Sequence, residues 1–125
     1  MISQQYLEHL VDFALAEDIG SGDVTAGLVN ADTQASARVI SREPGILCGA
    51  AFVNTVFARL DPTLQVSWFK ADGDIIAAND LLFTVAGNAR VILTGERTAL
   101  NFLQLLSGTA TRCRHYADRV ADTPV

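Results

Sequence analysis

Arg97, Asn101, Gln104, Gly108, Thr111 and His115 follow one another at spacings of four, three, four, three and four. On a helix that spacing places them in one stripe. The chemistry of such a stripe centres on Arg97, whose planar guanidinium offers paired donors to a carboxylate or a phosphate. Asn101 and Gln104 add amides, and the small residues Thr98 and Gly108 would admit a close partner. The same spacing also describes an ordinary solvated face. What lies on the opposite side of the helix therefore matters.

That side is apolar. Ile92, Ala99, Leu103, Leu106, Ala110, Cys113, Ala117 and Val120 recur at helical intervals and form one continuous seam. Five steps of about 100° separate Ile92 from Arg97, which puts the arginine about 140° away from the seam. The spacing predicts a helix that starts after Asn88, a good N-cap, and runs to about Ala121. It absorbs "ARVIL", which alone reads as a strand. Gly95 and Gly108 each cost about 1 kcal/mol relative to alanine inside a helix. They predict close packing, or a kink near Ser107-Gly108. Glu96 adjoins Arg97 in sequence, but neighbouring helical residues do not face each other.

The elements that must position this helix are short. A first helix is predicted over Ser3 to Glu17, with Ser3 as N-cap and Leu7, Leu10, Val11, Ala14 and Leu15 inward. "TQASARVISREPG" alternates Ala35, Ala37 and Val39 against Ser36, Arg38 and Ile40, a strand that Pro44-Gly45 closes. A second helix is predicted over Ala50 to Leu60, with Phe52, Val53, Val56, Phe57 and Leu60 inward and Asp61-Pro62 ending it. From Leu64 to Ala86 the pattern is β, broken by turns at "ADGD" and Asn79-Asp80. The even spacing of these strands predicts a small, strongly bent sheet. Trp68 and the phenylalanines are assigned to the core.

Other candidate chemistry is weaker. "EDIGSGDVT" has the glycines of a phosphate cradle, but it is not a Walker loop, and Glu17, Asp18 and Asp23 would repel phosphate. It also lacks the order of a calcium-binding loop and is read as a structural turn in which Gly20 and Gly22 break the first helix. His9 and His115 have no nucleophile or carboxylate partner at a catalytic spacing. Both are read as surface residues, His115 being the more open to a role. Lys70, before "ADGD", invites comparison with a lipoyl or biotinyl attachment lysine, but its flanks are wrong for that. Cys48 and Cys113 are far apart, which argues for reduced thiols rather than a metal or disulfide framework.

Composition bounds the rest. The chain has 125 residues, half of them hydrophobic, enough for one domain with a real core. A net charge of −5 and scattered cations, eight Arg and Lys70, argue against nucleic acid as a partner. No apolar run approaches the ~18 residues of a membrane span, and the amino terminus lacks a signal-peptide pattern. A soluble, cytoplasmic protein is expected. The chain stops at "ADRVADTPV" just after a strong helical pattern, as a piece of something longer would.

Three stretches resemble one family: "ALAEDIGSGDVTAGLV", "ISREPGILCG" and "LTGERTALNFLQLLSGTATRCRHY" are similar to the amino-terminal part of quinolinate phosphoribosyltransferase. The resemblance implies an α+β fold: a hammerhead-type α/β sandwich of short strands with flanking helices, then a long helix leading toward a missing α/β barrel. Residues 1–110 would form the sandwich. Residues 111–125 would end the helix and begin the linker to the barrel. The implied reaction makes nicotinate mononucleotide, pyrophosphate and CO2 from quinolinate and 5-phosphoribosyl 1-pyrophosphate with Mg2+, in de novo NAD biosynthesis. The implied assembly is a homodimer or larger. Arg97 of "GERTALN" would reach a quinolinate carboxylate in the neighbouring subunit's site. The barrel's "TRKT"-like motif and later residues are absent, so the resemblance implies no catalytic residue, no metal ligand and no activity in this chain alone. Two alternatives stand beside it. One is a molybdenum-transport-associated relative, a group that does not keep the "ERTALN" block. The other is a non-catalytic association module in which the apolar seam mediates dimerisation.

Overall fold

A computed structural model describes the backbone of residues 3–20 and 30–121, with side chains for residues 3–17 and 30–111. The elements run α1 (Gln4–Gly20), β1 (Gln34–Ile40), β2 (Gly45–Ile46), α2 (Ala50–Leu60), β3 (Gln65–Trp68), β4 (Ile75–Ile76), β5 (Leu81–Asn88) and α3 (Ala89–Ala121). Helices and short strands mix as expected, and no closed barrel is present among the described residues.

β5 is the central strand of a three-stranded antiparallel sheet ordered β1-β5-β3. Its inward residues meet partners on both sides: Val85 lies opposite Ala37 and Val66, and Phe83 opposite Val39 and Trp68. Trp68 and Phe83 hold their ring centroids 4.6 Å apart. The indole N–H donates to Asn54 Oδ1 at 2.7 Å, which satisfies the polar edge of a half-buried ring. A register shift between Val39 and Ile40 ends the regular pairing of β1.

Instead of one bent sheet there are two, because β2 pairs with β4 as a separate ladder. Two similar turns cause this. In "ADGD", Asp74 accepts the Ala71 N–H at 2.8 Å and Gly73 takes φ 93°. In "AAND", Asp80 accepts the Ala77 N–H at 2.8 Å and Asn79 takes φ 72°. Carboxylates that accept from the backbone and left-handed residues both favour tight turns. The chain between them is diverted from β3 onto β2.

The inner face of the larger sheet and the three helices share one core, whose most enclosed side chains include Val11, Leu47, Val53, Val56, Phe57, Phe83 and Val85. α2 has the predicted bounds and buries Phe52, Val53, Val56 and Phe57, with Leu60 half-buried. α1 starts as predicted, with the Tyr6 N–H donating to Ser3 Oγ at 3.1 Å, and ends at Gly20 rather than Glu17.

Three core assignments are corrected. Leu10 is 36 % exposed, while Leu7, Val11 and Leu15 are buried. The centre of those three lies about 100° around the helix from Leu10, so it falls at the edge of the contact. Phe13 and Phe69 are 69 % and 57 % exposed. Phe13 sits on the outer side of α1. Phe69 follows the outward phase of Gln65 and Ser67, as strand alternation requires.

Candidate functional site

α3 grows directly out of β5. Asn88 is the last strand residue, and its Oδ1 accepts the Val91 N–H at 3.2 Å, which caps the helix. The same side chain donates to the Ala31 carbonyl at 2.6 Å. The helix start is thereby tied to both strand and preceding loop. "ARVIL" is helical, in agreement with the seam. Ile92, Ala99 and Leu103 are buried, and Leu106 and Ala110 are half-buried. The side chains of Cys113, Ala117 and Val120 lie outside the described residues.

Gly95 explains its own presence. A Cβ there would stand 2.7 Å from Leu60 Cδ1 and 3.1 Å from the Phe57 ring. α2 and α3 therefore approach through a notch that any larger residue would fill. Close packing is the observed outcome at this glycine.

On the opposite side Arg97, Asn101 and Gln104 are exposed. Among the described residues none holds the Arg97 guanidinium in a hydrogen bond or ion pair. Glu96 does not neutralise it. That residue is half-buried and borders a small apolar crevice with Val39, Phe57 and Leu100. The result is a cation displayed from a stiff, capped helix.

The rest of the predicted stripe divides. Thr98 is 1 % exposed, so it does not make room beside Arg97; a step of about 100° turns it into the core. Gly108 and Thr111 are half-buried. Thr111 faces the fold, not solvent: its Oγ1 accepts the Ile46 N–H at 2.9 Å. Ser107, absent from the stripe, exchanges two hydrogen bonds of 3.0 Å with the Cys48 backbone. Periodicity does not reveal these contacts. The available signal was a Ser and a Thr four apart on a predicted helix. His115 lies outside the described side chains, as do residues 21–29 of the acidic glycine motif and its surroundings.

Other candidates are ordinary. His9 is exposed. Lys70 stands 3.9 Å from Asp80 Oδ2. Burial, followed by the charge of Asp72, pushes the Cys48 thiol up and away from reactivity. No group of three or more His, Cys, Asp or Glu that would hold a metal exists among the described residues. No described helix is long and apolar enough to cross a membrane.

Fold and site together define a small α+β domain that presents a guanidinium outward. Residues 23–107 match the family model described as quinolinate phosphoribosyl transferase, N-terminal domain. A probable nicotinate-nucleotide pyrophosphorylase (carboxylating) of Synechocystis is 37 % identical over 110 residues, spanning 88 % of this chain and 37 % of the relative. Among solved structures, the nicotinate-nucleotide pyrophosphorylase of Francisella tularensis superposes with a TM-score of 0.84 at 46 % identity. That match covers 89 % of this chain and 40 % of that one. NadC from Streptococcus pyogenes gives 0.91 at 30 % identity, covering 98 % and 44 %. The chain belongs to the quinolinate phosphoribosyltransferase family and corresponds to its N-terminal domain. It spans 37 % to 44 % of the length of these relatives.

Proposed function

We propose that this chain is the amino-terminal domain of an enzyme that converts quinolinate and 5-phosphoribosyl 1-pyrophosphate to nicotinate mononucleotide, pyrophosphate and CO2 in de novo NAD biosynthesis. In this reading residues 1–110 form the sandwich and residues 111–125 lead toward a barrel that holds the reacting groups. The protein is cytoplasmic and at least dimeric. Arg97 is delivered to the neighbouring subunit's site. The observation that carries the reading is the exposure of Arg97, without a partner among the described residues, on a helix fixed at its cap and at Gly95.

The chemistry asks for such a group. Quinolinate bears two carboxylates on a pyridine ring, and a guanidinium meets a carboxylate through two parallel N–H donors. A carboxylate held this way helps to orient the ring, with its nitrogen directed at the ribosyl carbon. Transfer from that carbon develops oxocarbenium character, which positioning and fixed charge favour. Magnesium would supply charge neutralisation at the pyrophosphate when bound. Arg97 itself binds and orients; it transfers no proton.

Replacing Arg97 by alanine in the full-length enzyme is the direct test. A charge-assisted hydrogen bond is worth about 1.5–3 kcal/mol. Loss of a two-pronged contact is therefore expected to lower kcat/KM for quinolinate by about 100-fold or more. The melting temperature is expected to stay almost unchanged, because the side chain is exposed and lies off the core of its own fold. Co-assembly of Arg97→Ala subunits with subunits inactivated in the barrel tests the delivery in trans. Activity returns in mixed oligomers if the arginine crosses the interface. Normal kinetics for Arg97→Ala would overturn the assignment.

A further inference from the structure

Between its packed seam and its exposed stripe, α3 carries a third line of contacts made by hydroxyls. Ser107 Oγ accepts the Cys48 N–H and donates to the Cys48 carbonyl, both at 3.0 Å. One turn further, Thr111 Oγ1 accepts the Ile46 N–H at 2.9 Å and donates to the Ser107 carbonyl at 2.8 Å. The partners belong to β2 and the two residues after it. On the other edge of that segment, Leu47 bonds to Asp74 and Gly73 across the β2–β4 ladder.

The match is one of repeat lengths. Ile46 and Cys48 point to the same edge of an extended chain, about 6.6 Å apart. Ser107 and Thr111 are four residues apart on a helix, a rise of about 6 Å. Two hydroxyls thus stand where a neighbouring strand would, and the free edge of β2 is closed by a helix. Gly45 permits the approach: a Cβ there would lie 2.7 Å from Thr111 Oγ1.

Such bonds do something apolar packing does not. Half-buried Phe102 and Leu106 hold α3 against α2, but contacts of that kind tolerate some rotation about the helix axis. Hydrogen bonds to two fixed backbone groups do not. A rotation of about 10° moves a group at a radius of about 6 Å by roughly 1 Å. Misplacement of that size is enough to cost a binding site much of its function.

We propose that Ser107 and Thr111 are positioning residues for Arg97. They lock the rotation of α3 at one end while the Asn88 cap and the Gly95 notch lock it at the other. This rests on the reading that Arg97 binds quinolinate. The test uses the full-length enzyme with Ser107→Ala, Thr111→Val and Thr111→Ser, each with and without Arg97→Ala.

Removal of either hydroxyl is expected to raise the KM for quinolinate by about 3- to 30-fold. The kcat and the KM for 5-phosphoribosyl 1-pyrophosphate should change less than about twofold. Thr111→Ser, which keeps the hydroxyl, should restore the quinolinate KM. In the Arg97→Ala background the same substitutions should leave that KM where it was. Thr111→Val preserves side-chain shape, and serves if Ser107→Ala fails to fold.

A lower melting temperature with an unchanged quinolinate KM would overturn the proposal, as would equal effects in both backgrounds. If Arg97→Ala alone leaves the KM unchanged, it is the quinolinate reading that fails, and the positioning role falls with it.

Discussion

α1 and α3 lie on the same core and are held to it in different ways. α1 lays down Leu7, Val11 and Leu15 and adds one surface ion pair, Asp12 with Arg59 of α2. Its outward side still carries Tyr6 at 57 % and Phe13 at 69 % exposure. α3 also buries a seam, but it has in addition a cap fused to β5, a glycine notch against α2 and two hydroxyls on β2. Apolar contact sets how firmly a helix adheres. Directional contacts set where its other face points. Among the described contacts, the directional bonds α1 makes to another element are those of one exposed ion pair, whereas the helix that bears Arg97 has partly buried ones to fixed backbone groups.

Substitutions that break this contrast should range widely in effect. The largest is expected from Phe57→Ala, because Phe57 is 2 % exposed and forms the floor of the Gly95 notch. Removing a buried ring costs about 3–5 kcal/mol, which a urea titration followed by circular dichroism would read directly. Gly95→Val closes the notch from the other side. Overpacking of this kind costs about 1–3 kcal/mol. Gly95→Ala should cost less, since Leu60 Cδ1 is the tip of a flexible side chain and alanine regains about 1 kcal/mol of helix propensity. A gain in stability for both variants, larger for alanine, would mean that helix propensity, not contact, governs the position.

Asn88→Ala removes the α3 cap and should cost about 1 kcal/mol. Hydrogen exchange would show its location, with faster exchange at Val91 and little change in α1.

The smallest effect is expected at the ion pair of α1. Arg59 Nε and Nη2 donate to the two Asp12 oxygens at 2.9 Å and 2.7 Å. Chiefly through these hydrogen bonds, the Asp12 carboxyl is held below its ordinary value of 3.8. A carboxyl with a lowered folded-state value contributes stability above its unfolded value and loses it as the pH falls through the folded one. Wild type should therefore melt slightly above Asp12→Asn at neutral pH, and the two should converge below 3.8. Salt should narrow the gap, because both groups are exposed. A gap that widened in acid would contradict the pairing.

How legible these features were depended on the range of the contacts behind them. The bounds of α2, the Ser3 and Asn88 caps and the helical state of "ARVIL" rest on periodicity and on side chains reaching a backbone group three residues away. Arg97 was legible for the same reason, as the residue opposite an apolar seam. Leu10 and Phe69 were harder, because a hydrophobic side chain does not announce whether its face meets a neighbour. β2 and β4 are two residues each, too short for any alternation to assign their pairing. The Thr111–Ile46 bond spans 65 positions, and nothing local to either residue points to the other.

The order of amino acids by itself determined the helices, the caps of α1 and α3 and the side of α3 from which a guanidinium projects, because each follows from spacings of three or four residues along one element. Only the tertiary structure decided that the strands divide into two ladders, that Thr98 and Thr111 turn inward, and that hydroxyls close the β2 edge. Those outcomes depend on which surfaces meet in space, and residues far apart in the chain carry no mutual spacing from which that meeting can be read.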